Sequence, residues 1–198
     1  PVVECCRGGW RTPDFGCRFR DILRPVPVRV RKSAQFVLCG PVGHGTVHRM
    51  NLPHPTRIGM LVFPMMTSLD ILGPFEVLAR APGCQAELVW KDRNPVRGDT
   101  GLTIVPDQRF DQAPQYDVVV VPGGPGQTPL MEDAEVLQFL RRQAAGARYV
   151  TSVCTGSLLL AAAGLLQGRK ATSHWMSIDQ LALFGVQIVP DRVVVDGD

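Results

Sequence analysis

From residue 57 onward the chain alternates between apolar runs and amphipathic runs, and before that point it does not. "RIGMLVF" (57–63) predicts a buried strand, and "SLDILGPFEVLARA" (68–81) a helix interrupted near Gly73-Pro74. "AELVWK" (86–91) and "GLTIVPD" (101–107) read as extended segments. "YDVVVVPGG" (116–124) is a continuous β-branched run, the pattern of a strand covered on both faces. "DAEVLQFLRRQAAGA" (133–147) carries apolar Val136, Leu137, Phe139, Leu140 and Ala144 at helical spacing. "RYVTSV" (148–153) predicts a strand that passes directly into a helix over 155–166. "SIDQLALFG" (177–185) predicts a helix closed by Gly185. "VQIVP" and "RVVVDG" predict two last strands.

Strands alternating with helices imply a three-layer α/β fold on a mostly parallel sheet. Such sheets place ligands at the carboxyl ends of their strands. Three strand ends carry distinctive chemistry: 63–70, 121–126 and 153–155. The final "RVVVDGD" ends a strand at a turn with nothing to pair back, so the domain is expected to be C-terminally truncated.

Charge and cysteine content separate the first 52 residues from the rest. They hold nine Lys/Arg against three acids, and four of the six cysteines (Cys5, Cys6, Cys17, Cys39). The remainder holds twelve bases against fifteen acids, with only Cys84 and Cys154. No helical or strand period is sustained in 1–49, and Pro25, Pro27 and "GPVGHG" interrupt what begins. The four cysteines lack the paired spacing of a zinc site. Residues 1–52 are therefore expected to be an irregular basic, Cys-rich extension outside the native fold, with Met50 as the biological start, and 53–198 to be the α/β domain. No apolar stretch is long enough for a transmembrane helix.

The joint "SVCTGS" places Cys154 between a strand and a helix. Free N–H groups and the positive end of a helix dipole there are expected to lower the thiol pKa. Hydrolase elbows expose their nucleophile on a similar joint. A buried inert thiol occupies such a position equally well. A disulfide is disfavoured because only Cys84 shares the ordered region, and a metal finds no partner ligands.

Gly123 and Gly124 close the preceding strand, where they are a tight turn or a pair of backbone N–H donors for a developing anion. Asp70 lies inside an apolar run just past a strand end. It is either a helix N-terminal charge or a carboxyl facing Cys154; in the second case the two share a proton and the carboxyl pKa rises. His174 could be a base for Cys154, but a histidine packed beside Trp175 and hydrogen-bonded is the simpler reading. Thr155 follows the cysteine directly, so no adjacent imidazole activates it. Glu76 reads as a surface, helix-stabilising acid.

Together, "LDILGPFEVL", "DVVVVPGG" and "VTSVCTGSLLLAAAGLLQGRKATSHW" resemble the PfpI-type, class I glutamine amidotransferase-like superfamily. Within it, Cys-Thr-Gly-Ser and the Asp of "SLDILGP" resemble the isonitrile (isocyanide) hydratase family. The resemblance covers 56–198 and implies a flavodoxin-like fold, a cytoplasmic homodimer, no metal and no organic cofactor. It implies Cys154 as nucleophile, Asp70 as the acid beside it, and Thr155 as the residue that positions water or intermediate. Gly124 and Gly123 are implied as oxyanion and substrate donors. The substrate implied is a small hydrophobic isocyanide in an apolar pocket. Two rivals remain: another cysteine-dependent PfpI-type hydrolase, and the sensor domain of an AraC-type regulator. The second binds nucleic acid only if a DNA-binding domain follows Asp198.

Overall fold

The computed structural model describes residues 55–197. The expectations for residues 1–52, including the Met50 start, lie outside the described residues. The sheet is built from β1 (Thr56–Leu61), β2 (Cys84–Trp90), β5 (Gln108–Arg109), β6 (Val118–Val121) and β7 (Tyr149–Ser152), in the order β5-β2-β1-β6-β7. Every pairing in it is parallel. All five carboxyl ends therefore lie on one edge, and β1, β6 and β7 are direct neighbours there. Helices flank this sheet, as expected of a flavodoxin-like three-layer fold.

Two further pairs stand apart from the main sheet. β3 (Val96–Arg97) and β4 (Thr103–Ile104) form an antiparallel pair. β8 (Lys170–Ala171) pairs in parallel with β9 (Gln187–Ile188). The helices are α1 (Ser68–Leu78), α2 (Gln127–Leu130), α3 (Ala134–Ala144) and α4 (Gly156–Ala162), followed by a 3-10 helix at Ile178–Phe184.

Burial follows the apolar runs. Met60, Leu61, Val62 and Phe63 are fully enclosed, and Val119–Val121 are covered on both faces of the sheet. Phe110 stacks on Phe139 at 4.1 Å and meets Trp90 edge-on, which ties α3 to the end of β5. Asp133 starts α3 by accepting the N–H groups of Glu135 and Val136, a cap worth about 1 kcal/mol. A smaller cluster of Leu158, Ala161, Leu181 and Val186 joins α4 to the 3-10 helix.

Four expectations need correction. The helix over 68–81 is not broken at Gly73-Pro74: α1 runs through Pro74 to Leu78. Proline removes one ladder bond, to the carbonyl four residues back. Burial of Ile71 and packing of Phe75 and Leu78 on the core outweigh that loss. The helix after Cys154 is shorter than 155–166, because turns replace it beyond Ala162. The segment before Gly185 is a 3-10 helix, closed by that glycine at φ 68°. "RVVVDG" forms no strand, and Val193 and Val195 are exposed. This run of three valines has no partner strand to pair with among the described residues.

Candidate active site

Three segments meet at the carboxyl edge. The turn after β1 leads into α1 and delivers Asp70 in its first turn. The end of β6 delivers Gly123 and Gly124, and the end of β7 delivers Cys154 and Thr155. Cys154 has φ 55°. A left-handed backbone costs a residue with a side chain of order 1 kcal/mol, and it turns the chain sharply from strand to helix. Met65, in the turn before α1, has φ 61°. These are the two non-glycine residues with positive φ among the described residues, and both border this edge.

The glycines make the approach possible. A Cβ on Gly123 would stand 2.6 Å from the Thr155 nitrogen and 2.9 Å from the Cys154 Cβ. Gly124 has φ 126° and lies against the backbone of Met65 and Met66. Any larger residue would push the loop before α1 off the cysteine turn.

Asp70 is half-buried and accepts the Gly123 N–H at 3.1 Å. Its carboxyl lies beside the Cys154 thiol, close enough that each group shifts the titration of the other. Burial pushes the Asp70 pKa above its ordinary value; the Gly123 N–H and the thiol pull it back only in part, and nearby Asp99 adds to the rise. Burial also pushes the Cys154 thiol up, and the neighbouring carboxylate pushes it further. The Thr155 N–H, which bonds the sulfur, opposes both. The expectation of a lowered thiol pKa is therefore corrected: a partly buried sulfur next to an acid loses more than a helix N-terminus returns.

Gly124 donates its N–H to the Thr155 hydroxyl oxygen at 3.0 Å. Both glycine N–H groups that the sequence offered to an anion are thus engaged inside the protein, one by Asp70 and one by Thr155. Thr155 Oγ1 accepts that bond, and its hydroxyl lies beside the Cys154 sulfur, where it favours the thiolate.

A cavity of about 330 Å³ opens over these residues. Cys154, Thr155 and Gly124 form its floor, and Thr67, Gln127, Thr128 and Gln180 line its wall. The lining of this cavity is largely of uncharged polar side chains, whereas the apolar lining expected of a substrate pocket is found in a neighbouring cavity. A second cavity, of about 900 Å³, runs along β7 and also reaches Cys154 and His174. His174 faces Asp70 electrostatically. Its Nδ1 accepts the Met176 N–H at 3.3 Å, and its ring lies 5.5 Å from that of Trp175. The ring is partly exposed and lines both cavities, beside an exposed Trp175. Glu76 pairs with Arg80 on the exposed side of α1. Cys84 and Cys154 are both free thiols.

Sequence reasoning missed three contributors. Asp99, beyond β3, accepts the Thr67 hydroxyl at 3.2 Å and donates its backbone N–H to Met66. Ser157 and Ser173 both donate to the carbonyl of Cys154. Ser157 is the serine of Cys-Thr-Gly-Ser, whose contact is local, whereas Asp99 and Ser173 carry no pattern and only the folded chain brings them to the site.

The described region is matched in known proteins. The chain is 56% identical over 142 residues to an isonitrile hydratase of Pseudomonas putida, across 72% of this chain and 62% of that protein. It thus spans under two thirds of that relative's length. It is 34% identical over 128 residues to the HTH-type transcriptional regulator GbdR of Pseudomonas aeruginosa, covering 62% of this chain and 35% of the regulator. A crystal structure of a ThiJ/PfpI family protein from Pseudomonas syringae superposes with a TM-score of 0.72 at 42% identity, over 79% of this chain and 66% of that one. Residues 56–198 match the DJ-1/PfpI family, and the chain belongs to that family.

Proposed function

We propose that this site hydrates an isocyanide to an N-substituted formamide through a cysteine-linked thioimidate. The observation that carries the reading is the placement of the Asp70 carboxyl, held by the Gly123 N–H, beside the Cys154 thiol at the carboxyl edge of the sheet. An isocyanide accepts a nucleophile and a proton on one and the same terminal carbon. The sulfur forms the S–C bond while the thiol proton passes through Asp70 to that carbon, giving R–N=CH–S–Cys. The charge that develops in this step falls on carbon, where a proton donor answers it. It does not fall on an oxygen that needs free N–H groups, which fits glycine N–H groups already spent on Asp70 and Thr155.

Water then adds to the same carbon. The Asp70 carboxylate takes one of its protons, the imidate nitrogen gains one, and the Thr155 hydroxyl orients the water or the intermediate. Collapse breaks the C–S bond, returns the proton to sulfur and releases R–NH–CHO. Homology to an isonitrile hydratase at 56% identity supports this substrate class. A cytoplasmic homodimer working without metal or organic cofactor belongs to the same reading.

The test is formamide production from an aliphatic isocyanide by the protein, with Cys154→Ala as control. Turnover that survives the substitution overturns the mechanism. The similarity to a transcriptional regulator favours a second reading, a ligand-sensing domain. Stoichiometric ligand binding with no formamide formed is its signature.

A further inference from the structure

The carbonyl of Cys154 is held by two hydroxyls. Ser157 Oγ donates to it at 3.4 Å from the first turn of α4, and Ser173 Oγ donates at 3.2 Å from beyond β8. Ser157 is local and fully buried. Ser173 arrives from a distant part of the chain, just before His174, and is the tertiary tether.

The two ends of the Cys154–Thr155 peptide point in opposite directions, because a trans peptide is planar. Its carbonyl end faces the two serines. Its N–H end faces the sulfur, where it is the one backbone donor that favours the thiolate. Fixing the carbonyl therefore fixes the N–H. The fixing matters here because Cys154 sits at φ 55°. A residue with a side chain leaves that region readily once nothing holds it. Gly123 keeps the space beside the Thr155 nitrogen clear, so sterics alone do not lock the peptide.

We infer that Ser173 is a positioning residue that locks the Cys154–Thr155 peptide with its N–H directed at the nucleophilic sulfur. The catalytic consequence rests on Cys154 being the nucleophile of the reaction proposed above; the lock itself does not.

The experiment is alkylation of Cys154 by iodoacetamide, read at that residue by peptide mass spectrometry and followed across pH on Ser173→Ala, Ser173→Thr and the unmodified protein, with Tm measured for each. Loss of the directed N–H is expected to move the Ser173→Ala profile to higher pH and slow alkylation at pH 8 by about three- to tenfold, since a donor to the thiolate is lost. Ser173→Thr keeps the hydroxyl and is expected to restore the profile. A folded Ser173→Ala protein whose profile superposes on the unmodified one overturns the inference. If Ser173→Ala does not fold, Ser173→Val, which has the shape of the Thr variant but no donor, is read by the same criterion. Alkylation needs no isocyanide, so failure of the lock and failure of the hydratase reading give separate results.

Discussion

Asp70 and Cys154 face each other across the carboxyl edge of the sheet, and the carboxyl is simultaneously bound by the Gly123 N–H. Asp70 thus has two separable jobs. One oxygen anchors the β6 turn, and in the proposed reaction the group exchanges a proton with sulfur. Asp70→Asn separates them, because an amide oxygen still accepts the Gly123 N–H but the side chain no longer titrates. Turnover of an isocyanide is expected to fall by roughly 100-fold or more, with the circular dichroism spectrum unchanged. Rates equal to those of the unmodified protein would reduce Asp70 to a helix N-terminal charge.

The same substitution should make the thiol more reactive while it removes catalysis. The carboxylate beside Cys154 disfavours the thiolate, and a neutral amide does not. Alkylation of Asp70→Asn is therefore expected to rise to its plateau at lower pH than in the unmodified protein. An unshifted or upward-shifted profile would mean that burial alone sets the thiol, without Asp70.

Stability should move in the opposite sense to activity. The folded-state pKa of Asp70 is raised above 3.8, chiefly by burial. A group raised in this way contributes stability that is fully present below its unfolded value and is lost as pH rises through its folded value. At neutral pH Asp70 is a charge that the fold holds at a cost. Asp70→Asn is expected to have the higher Tm at pH 7, and the gap is expected to close as pH falls toward 3.8. A gap that persists or widens on acidification contradicts the assignment.

How much of this was legible before folding differs element by element. "YDVVVVPGG" and "RYVTSV" announce their strands because a strand buried on both faces must be apolar throughout. Parallel order then brings Asp70, Gly123 and Cys154 to one edge without further information. The Pro74 break was misread, since one lost hydrogen bond is a local quantity and the packing of Phe75 and Leu78 is not. The direction of the thiol shift was misread for the same reason. A helix N-terminus is visible in sequence, whereas the burial of sulfur against a carboxyl is not. Ser173 and Asp99 were invisible, because each acts through a single long-range contact.

Thr155 contributes to the frame as well as to the proposed chemistry. Its hydroxyl oxygen accepts the N–H of Gly124, which is buried. Thr155→Val keeps the shape and strands that donor, at about 1–3 kcal/mol. A midpoint lower by roughly 2–4 °C per kcal/mol is expected for a chain of this size, with Thr155→Ser close to the original. Equal Tm values for the Thr and Val proteins would show that the Gly124 N–H finds another acceptor.

Two glycines should answer the same substitution with opposite signs. Gly123→Ala places a methyl 2.6 Å from the Thr155 nitrogen and 2.7 Å from its Oγ1. Neither atom can retreat without disturbing the Cys154 turn, so a loss of about 1–3 kcal/mol is expected, together with loss of turnover. Gly73 lies inside α1 directly before Pro74, with nothing beyond its chain neighbours and the helix's own backbone within 4 Å of an added Cβ. Gly73→Ala removes backbone freedom from the unfolded chain and is expected to stabilise by less than the roughly 0.5–1 kcal/mol of an ordinary helix position, because the proline ring disfavours a Cβ on the residue before it, leaving turnover unchanged. Thermal unfolding of the two variants in parallel checks both signs. A destabilised Gly73→Ala protein would mean that α1 needs glycine flexibility next to Pro74, and that the helix running through the proline is strained.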